Sequence, residues 1–566
     1  MKTLQVLRRP APAVGLGLCV GAALFLSATL SAQGVFGRAQ AREQQQTRDQ
    51  PQAQPQPQPQ AHDPGVRGGI QNTGGGLQQQ GIPIPPPPVI SPNPVTGVTI
   101  KANEMDLFLE GFRRAGQLES TCDACSVAPT GVGDGNRVLN LGELDPDFPQ
   151  MHTNSNGLGT RHNGDSCLVC HSQPVLGGAG GFISPAKGSP AQNPSFDLIP
   201  HRFGKQNVVP PFITQLGPIR EVRFRFNPDG TRDGGVHQLW VTTGITNDPQ
   251  NTTCQAAQPN FAAELAKNNL SFRTPLQILG LGLIDSIQDQ EILAQHNATA
   301  DRRARLGITG HPNRSGNDGS ITRFGWKAQN KSITVFAGEA YTVEMGISNE
   351  LFPTAVDERA DCANGKPEPN DITRTDNDDA DNKSFNNPLH ILADWMEFML
   401  MMKFTDAPQP DPNPSVSAQN GQRLFSQIGC DACHTPTMTT APDLGEAPVL
   451  QNRPVNLFSD LMVHHMGPGL ADNIIQGAAG PDEFRTVPLW GVGKRIFFLH
   501  DGRTDDLLQA ILFHESGPGN NTQGSLTPLF PGAQSLPPSE ANEVIQNFRR
   551  LSVSDQQSVL DFLRSL

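Results

Sequence analysis

Basic residues are the minority charge in this chain: 42 Lys and Arg stand against 55 Asp and Glu over 566 residues, a net charge of −13. That deficit, spread along the chain, argues against nucleic acid or an anionic membrane as a partner. A membrane-anchoring apolar run is also missing. The stretch "AVGLGLCVGAALFLSATLSA", residues 13–32, is interrupted by glycines and followed by no stop-transfer charges. Leu18 stands where lipid attachment to Cys19 requires a small residue. With the basic "MKTLQVLRRP" in front of it, the run reads as a secretory signal over residues 1–32, which implies export to the periplasm and no stable membrane insertion. Apolar residues are then scarce over residues 33–98, where "REQQQTRDQPQAQPQPQPQ" and "GIPIPPPPVISPNP" predict a disordered Gln/Pro/Gly-rich tether that cannot repay the ordering of its backbone.

Cysteine is sparse as well, 9 in the whole chain, yet four of the nine fall into one repeated pattern. "GTRHNGDSCLVCHSQPVLGG" contains Cys167, Cys170 and His171, and "LFSQIGCDACHTP" contains Cys430, Cys433 and His434. Random placement yields about 0.004 such C-x-x-C-H runs in a chain of this composition. In this pattern two thiols add to the vinyl groups of one porphyrin and the adjacent imidazole binds its iron, so the chain is expected to carry two covalently bound haem c groups. Covalent attachment belongs to oxidising, exported compartments, in agreement with the signal. A third C-x-x-C, "TCDACS", has Ser126 where the ligand would stand. Haem is excluded there, and a Cys122–Cys125 disulfide with a second pair, Cys254 and Cys362, is expected instead.

The fold class expected is mainly α. Two cytochrome c-like haem domains, residues 99–406 and 407–566, flank the Pro-rich joint "TDAPQPDPNPS". "MDLFLEGFRRAGQLES" and "PLHILADWMEFMLMMKF" open and close the first domain as helices, and "EVRFRFNPDGTRDGGVHQLWVTTG" inserts a small β-hairpin around its NPDG turn. Long loops surround it. In the second domain Gly421, Phe425 and Cys430 lie along a helix entering the haem motif, and "SVSDQQSVLDFLRSL" is a capped amphipathic helix that closes the chain.

"GLGTRHNGDSCLVCHSQP", "ITRFGWKAQNKSI", "HHMGPGLAD" and "FRTVPLWGVGKRIFFLHDGR" together resemble the dihaem oxidoreductases of the cytochrome c peroxidase-like class, which are related more distantly to rubber oxygenases and to a quinone-cofactor-maturing enzyme. The resemblance implies periplasmic reduction of hydrogen peroxide or another small oxidant at the His171 haem. A small cytochrome or cupredoxin would donate electrons through the His434 haem. It also implies that His514, fourteen residues after His500 in the "HDG" turn, is the second axial ligand of the His434 haem, with His465 and Met466 as competitors. Trp326 is placed between the haems. Glu344, in the "EM" pair eighteen residues later, is the acid/base over the first haem, and Lys327 and Arg323 are candidate propionate partners. Lys187 occupies the position of the distal histidine of resting peroxidases, which predicts an open iron at the first haem unless His201 or His237 fills it. The alternatives are an oxygenase or cofactor-maturing enzyme with the same haem pair, and a pure electron carrier.

Overall fold

The computed structural model describes residues 60–65, 111, 115, 161–164, 167–171, 177–180, 193, 195, 207–241, 256–353, 370–371, 394–405, 407–442, 447–517 and 535–566. The secretory signal, most of the tether, Lys187, His201 and the cysteines Cys122, Cys125, Cys254 and Cys362 lie outside the described residues. So does nearly all of the opening "MDLFLEGFRRAGQLES" helix, of which Gly111 and Ala115 are described, both helical.

The helices form where cap and stripe coincide. Ser415 accepts a hydrogen bond from the Ala418 N–H to start Val416–Ile428, and Gly429, at φ +107°, ends it. Ala418, Gly421, Leu424, Phe425 and Ile428 are its buried face. The C-terminal helix Val553–Ser565 is capped by Ser552 and packs Val559, Leu560, Phe562 and Leu563 against it. The two approach so closely that a Cβ on Gly421 would overlap the Ser558 carbonyl. In the first region, Ser332 caps Ile333–Met345, which buries Ile333, Ala337, Tyr341 and Met345 and meets the helix Asp394–Phe404. The described residues are thus mainly helical, as expected, with short strands between.

The strands depart from expectation. The turn at Asn227–Gly230 forms, and isolated bridges pair Arg223 with Val236 and Phe226 with Arg232. The return arm stays paired as far as the His237 N–H, which donates to the Val222 carbonyl, but it is irregular, because Gly234 adopts φ +82° and the Asp233 carboxylate accepts from the Gly235 N–H. Glu221–Phe224 takes a regular antiparallel partner from Leu270–Arg273 on its other edge, and Trp240–Val241 pairs with Arg161–His162 just before the first haem motif.

One hydrophobic core runs from Cys167 and Leu168 through Leu281, Tyr341 and Met402, and on to Met438, Leu457 and Trp490, so it crosses the Pro-rich joint. A second core gathers Phe425, Phe548, Leu560 and Leu563 around the later motif. Ala61, from the segment expected to be disordered, is buried in this second core.

Candidate active site

Cys167–Cys170 is a single helical turn, and the His171 N–H closes it onto the Cys167 carbonyl. The chain then folds back: the Gly177 N–H donates to the His171 carbonyl, and Gly177, at φ +88°, lies where a Cβ would press into Leu279 at 2.5 Å. This return puts the Gly178 carbonyl 3.1 Å from His171 Nδ1. With Nδ1–H given to that carbonyl, Nε2 is the ring atom left for a metal. Burial pushes the ring down to about 4, so it is neutral, the form that ligates.

Glu344 stands beside this motif. Near the end of Ile333–Met345 its backbone carbonyl accepts from the Asn163 N–H at 2.7 Å and its Oε2 accepts from Asn163 Nδ2 at 2.7 Å. Asn163 is fixed in turn, its own Oδ1 accepting from the Leu239 N–H. Burial, reinforced by the charge of Glu221, pushes the Glu344 carboxyl up to about 8, against the pull of Asn163 and Arg223. Cys167 feels the same enclosure, pushed up to about 12 by burial and then by Glu344. Of the two proposed distal histidines, His237 is occupied elsewhere: its Nε2 is 2.8 Å from Asp233 and its ring stacks on Phe224 at 3.6 Å.

The second motif opens on a cavity of ≈ 250 Å³ whose wall includes His434, His514, Met466, Trp326, His500 and Arg485. His434 Nδ1–H donates to the Phe458 carbonyl at 3.0 Å, and burial pushes this ring down to about 4. His514 follows the short helix Leu507–Leu512, and its Nδ1–H donates to the Ala510 carbonyl at 2.8 Å. Burial lowers its pKa as well. Two neutral imidazoles, each with Nδ1 committed, therefore line one apolar slot. His465 is drawn away, with Nδ1 3.1 Å from Asp482 and Nε2 3.3 Å from Glu483. Met466 lines the cavity. His464 is buried, held 2.9 Å from Asp460 and 2.8 Å from Glu540 and so engaged away from the slot. Burial lowers its pKa, but Cys433 and Asp460 outweigh it and raise the ring well above 6.5.

Trp326 shares the same wall. Its Nε1–H donates to the Thr274 carbonyl at 2.9 Å, its ring is edge-on to His500 at 6.3 Å, and the Arg495 guanidinium stands 5.8 Å over it. The neighbours singled out as propionate partners are spoken for. Arg323 is bound to Asp289 and to the Ile287 carbonyl, and fully buried Lys327 reaches Asp472 at 3.0 Å and the Gly480 and Glu483 carbonyls at 2.8 Å.

Two other cations test whether haem fits this cavity. Arg485 donates through Nε to the Gly325 carbonyl while its buried Nη1 has no partner, and Arg495 holds the Phe497 carbonyl and Thr274 Oγ1. Burial pushes each down to about 10, and no acidic group offsets it. Enclosed guanidiniums need an anion, and a haem brings two carboxylates. With paired thiols, a ligating His434, a facing His514 and apolar walls, the residues fit the group. Neither arginine carried a signal in the sequence, since "FRTVPLWGVGKR" does not disclose what buries its charges.

A family model described as "Di-haem oxidoreductase, putative peroxidase" matches residues 232–529, just over half of the chain. The matched region holds Trp326, Glu344, the second motif and His514, and begins after the first motif. No curated protein matches. Among solved structures, hydrazine synthase of Kuenenia stuttgartiensis pressurised with xenon is similar at 17% identity, over 31% of this chain and 55% of that one, with a TM-score of 0.16. This chain therefore spans about half the length of that protein.

Proposed function

This chain belongs to the di-haem oxidoreductase family, which implies two haem groups, and on that premise we propose that it is an exported peroxidase-like enzyme with both haems attached covalently. One would be held by Cys167, Cys170 and His171, the other by Cys430, Cys433 and His434. Hydrogen peroxide or a related small oxidant takes two electrons and two protons to give water, and a small cytochrome or cupredoxin supplies the electrons. Among the described residues no helix is long and apolar enough to cross a membrane.

The observation that carries this reading is Glu344, a buried carboxyl at the first motif with its pKa raised to about 8. Haem, when bound, supplies the iron that engages the oxidant and passes electrons. The protein supplies the proton path. Asn163 fixes Glu344 Oε2, while among the described residues Oε1 makes no protein hydrogen bond. Oε1 then takes the proton from the near oxygen of the peroxide and returns it to the far one, easing O–O cleavage. Enclosure keeps bulk water from competing for that proton. At the second motif, His434 and His514 together would saturate an iron, suiting that site to electron transfer and leaving the chemistry to the first. Trp326, which lines the cavity at the second motif, would lie on the electron path.

Glu344→Gln tests the assignment, since it keeps size and polarity and removes the base. Turnover with peroxide is expected to fall by roughly two to four orders of magnitude with haem content unchanged. The ionised form starts the relay, so kcat/KM of the parent rises with pH through a group near about 8, and the variant loses that limb. Equal rates in parent and variant remove Glu344 from the mechanism. A parent that ignores peroxide yet consumes oxygen with an organic substrate transfers the site to the oxygenase alternative.

A further inference from the structure

Six residues of the Gln/Pro-rich tether, Gln60–Gly65, are seated on the second haem region. Ala61 is 5% exposed in the core beneath the later motif, and the His62 N–H donates to Gln557 Oε1 at 3.0 Å. The anchor is Asp63. Its Oδ1 takes Arg564 Nε at 2.7 Å and its Oδ2 takes Arg564 Nη2, with both side chains enclosed at 9% and 5% exposure. Oδ2 also accepts from the Leu507 N–H at 2.8 Å. Gly65, at φ +84°, donates its N–H to Oδ1.

These contacts converge on the parts that present His514. Leu507–Leu512 has six residues, too few to hold a helix without tertiary support. Its far end is fixed by Glu515 to Arg549 and by the Ser516 N–H to Asn542. Its near end is fixed by Asp63, beyond the local Asp506 cap. Arg564 also donates to the Arg495 carbonyl at 2.9 Å, so the same ion pair touches the backbone of a cavity-wall arginine. Without Asp63, Arg564 would be enclosed with the neutral Gly493 and Arg495 carbonyls as its acceptors.

We propose that Gln60–Gly65 is a latch and Asp63 a positioning residue: this docked stretch of the tether holds the helix that presents His514, and so sets the ligation of the second haem. This rests on the reading of His514 as axial ligand. The test uses the full-length, haem-loaded protein carrying Asp63→Ala, Asp63→Asn or His514→Ala. Hydrogen exchange of amides 507–514 and the low-spin spin-resonance signal are measured side by side. For Asp63→Ala, exchange over 507–514 is expected to rise about ten-fold or more, because one partner of an enclosed ion pair is stranded. Part of the low-spin signal should become high-spin. Asp63→Asn keeps the acceptor for Leu507 and should fall between, which preserves the test if the alanine variant does not fold. Unchanged exchange and spectrum overturn the latch, as does an exchange increase spread evenly over the chain. If His514→Ala keeps the low-spin signal, the ligand reading fails, whereas a local exchange increase in Asp63→Ala still supports docking.

Discussion

An enclosed guanidinium without a carboxylate is costly to bury, and Arg485 is that case: it is 6% exposed, and its buried Nη1 has no partner among the described residues. If it neutralises a haem carboxylate, its removal favours the more positive, oxidised iron. A unit charge about 10 Å away at an effective dielectric near 20 is worth roughly 1.7 kcal/mol. For a one-electron couple that is on the order of 70 mV. Arg485→Leu is therefore expected to lower the midpoint potential of the second haem by several tens of mV while the covalent attachment survives, as followed by a spectroscopic redox titration. An unchanged potential assigns the arginine to packing. The two C-x-x-C-H runs were legible in the sequence because the pattern lies within five consecutive residues. Arg485 was not, since its burial depends on Gly325 and Trp326. Lys327 was misread for the same reason: the acid that neutralises it, Asp472, is far away in the chain.

Elements were legible where the chain punctuates itself. Ser415 and Gly429 bracket one helix, and Ser552 opens the one it packs on. The expected hairpin forms with an irregular return arm, broken at Gly234, and the regular ladder partner of its first arm, Leu270–Arg273, is non-local and so was not legible. The helix crossing gives a prediction of its own. Gly421 has no room for a methyl group against the Ser558 carbonyl, and Phe562 Cβ lies 2.8 Å from the added atom. Gly421→Ala should improve helix propensity by up to about 1 kcal/mol. Overpacking costs about 1–3 kcal/mol, more where backbone must move. The clash is with backbone, so the second effect wins and the melting temperature falls. Phe425, one turn further on, packs at 5.4 Å on Phe562 and at 6.2 Å from His434, so the displacement should also appear in the spectrum of the second haem. A melt equal to the parent's would show that the helices separate without strain.

At the scale of the molecule, the core that crosses the Pro-rich joint links the two motifs mechanically: Leu168, beside the first, belongs to the same cluster as Leu457, which precedes the Phe458 that orients the second ligand. Composition marked the joint but not this continuity, because a Pro-rich stretch records local stiffness and says nothing of what packs on either side. Haem stoichiometry is where the whole chain is tested. Only two of the three C-x-x-C sequences are followed by histidine, and the structure orients both histidines in the same way, with Nδ1–H on a backbone carbonyl and the ring kept neutral by burial. Acid-acetone extraction of the denatured protein is expected to leave its haem on the polypeptide, and a pyridine haemochrome assay to count two per chain. His434→Ala should then remove the low-spin haem and His171→Ala the other, lowering the count to one per chain in each variant, because the adjacent histidine marks each pair of thiols for attachment. A count of one would leave the chain without a second redox partner and end the peroxidase reading. A count of three would place haem at Cys122 and Cys125 with a ligand from elsewhere in the chain, showing that the adjacent histidine is not what decides attachment here.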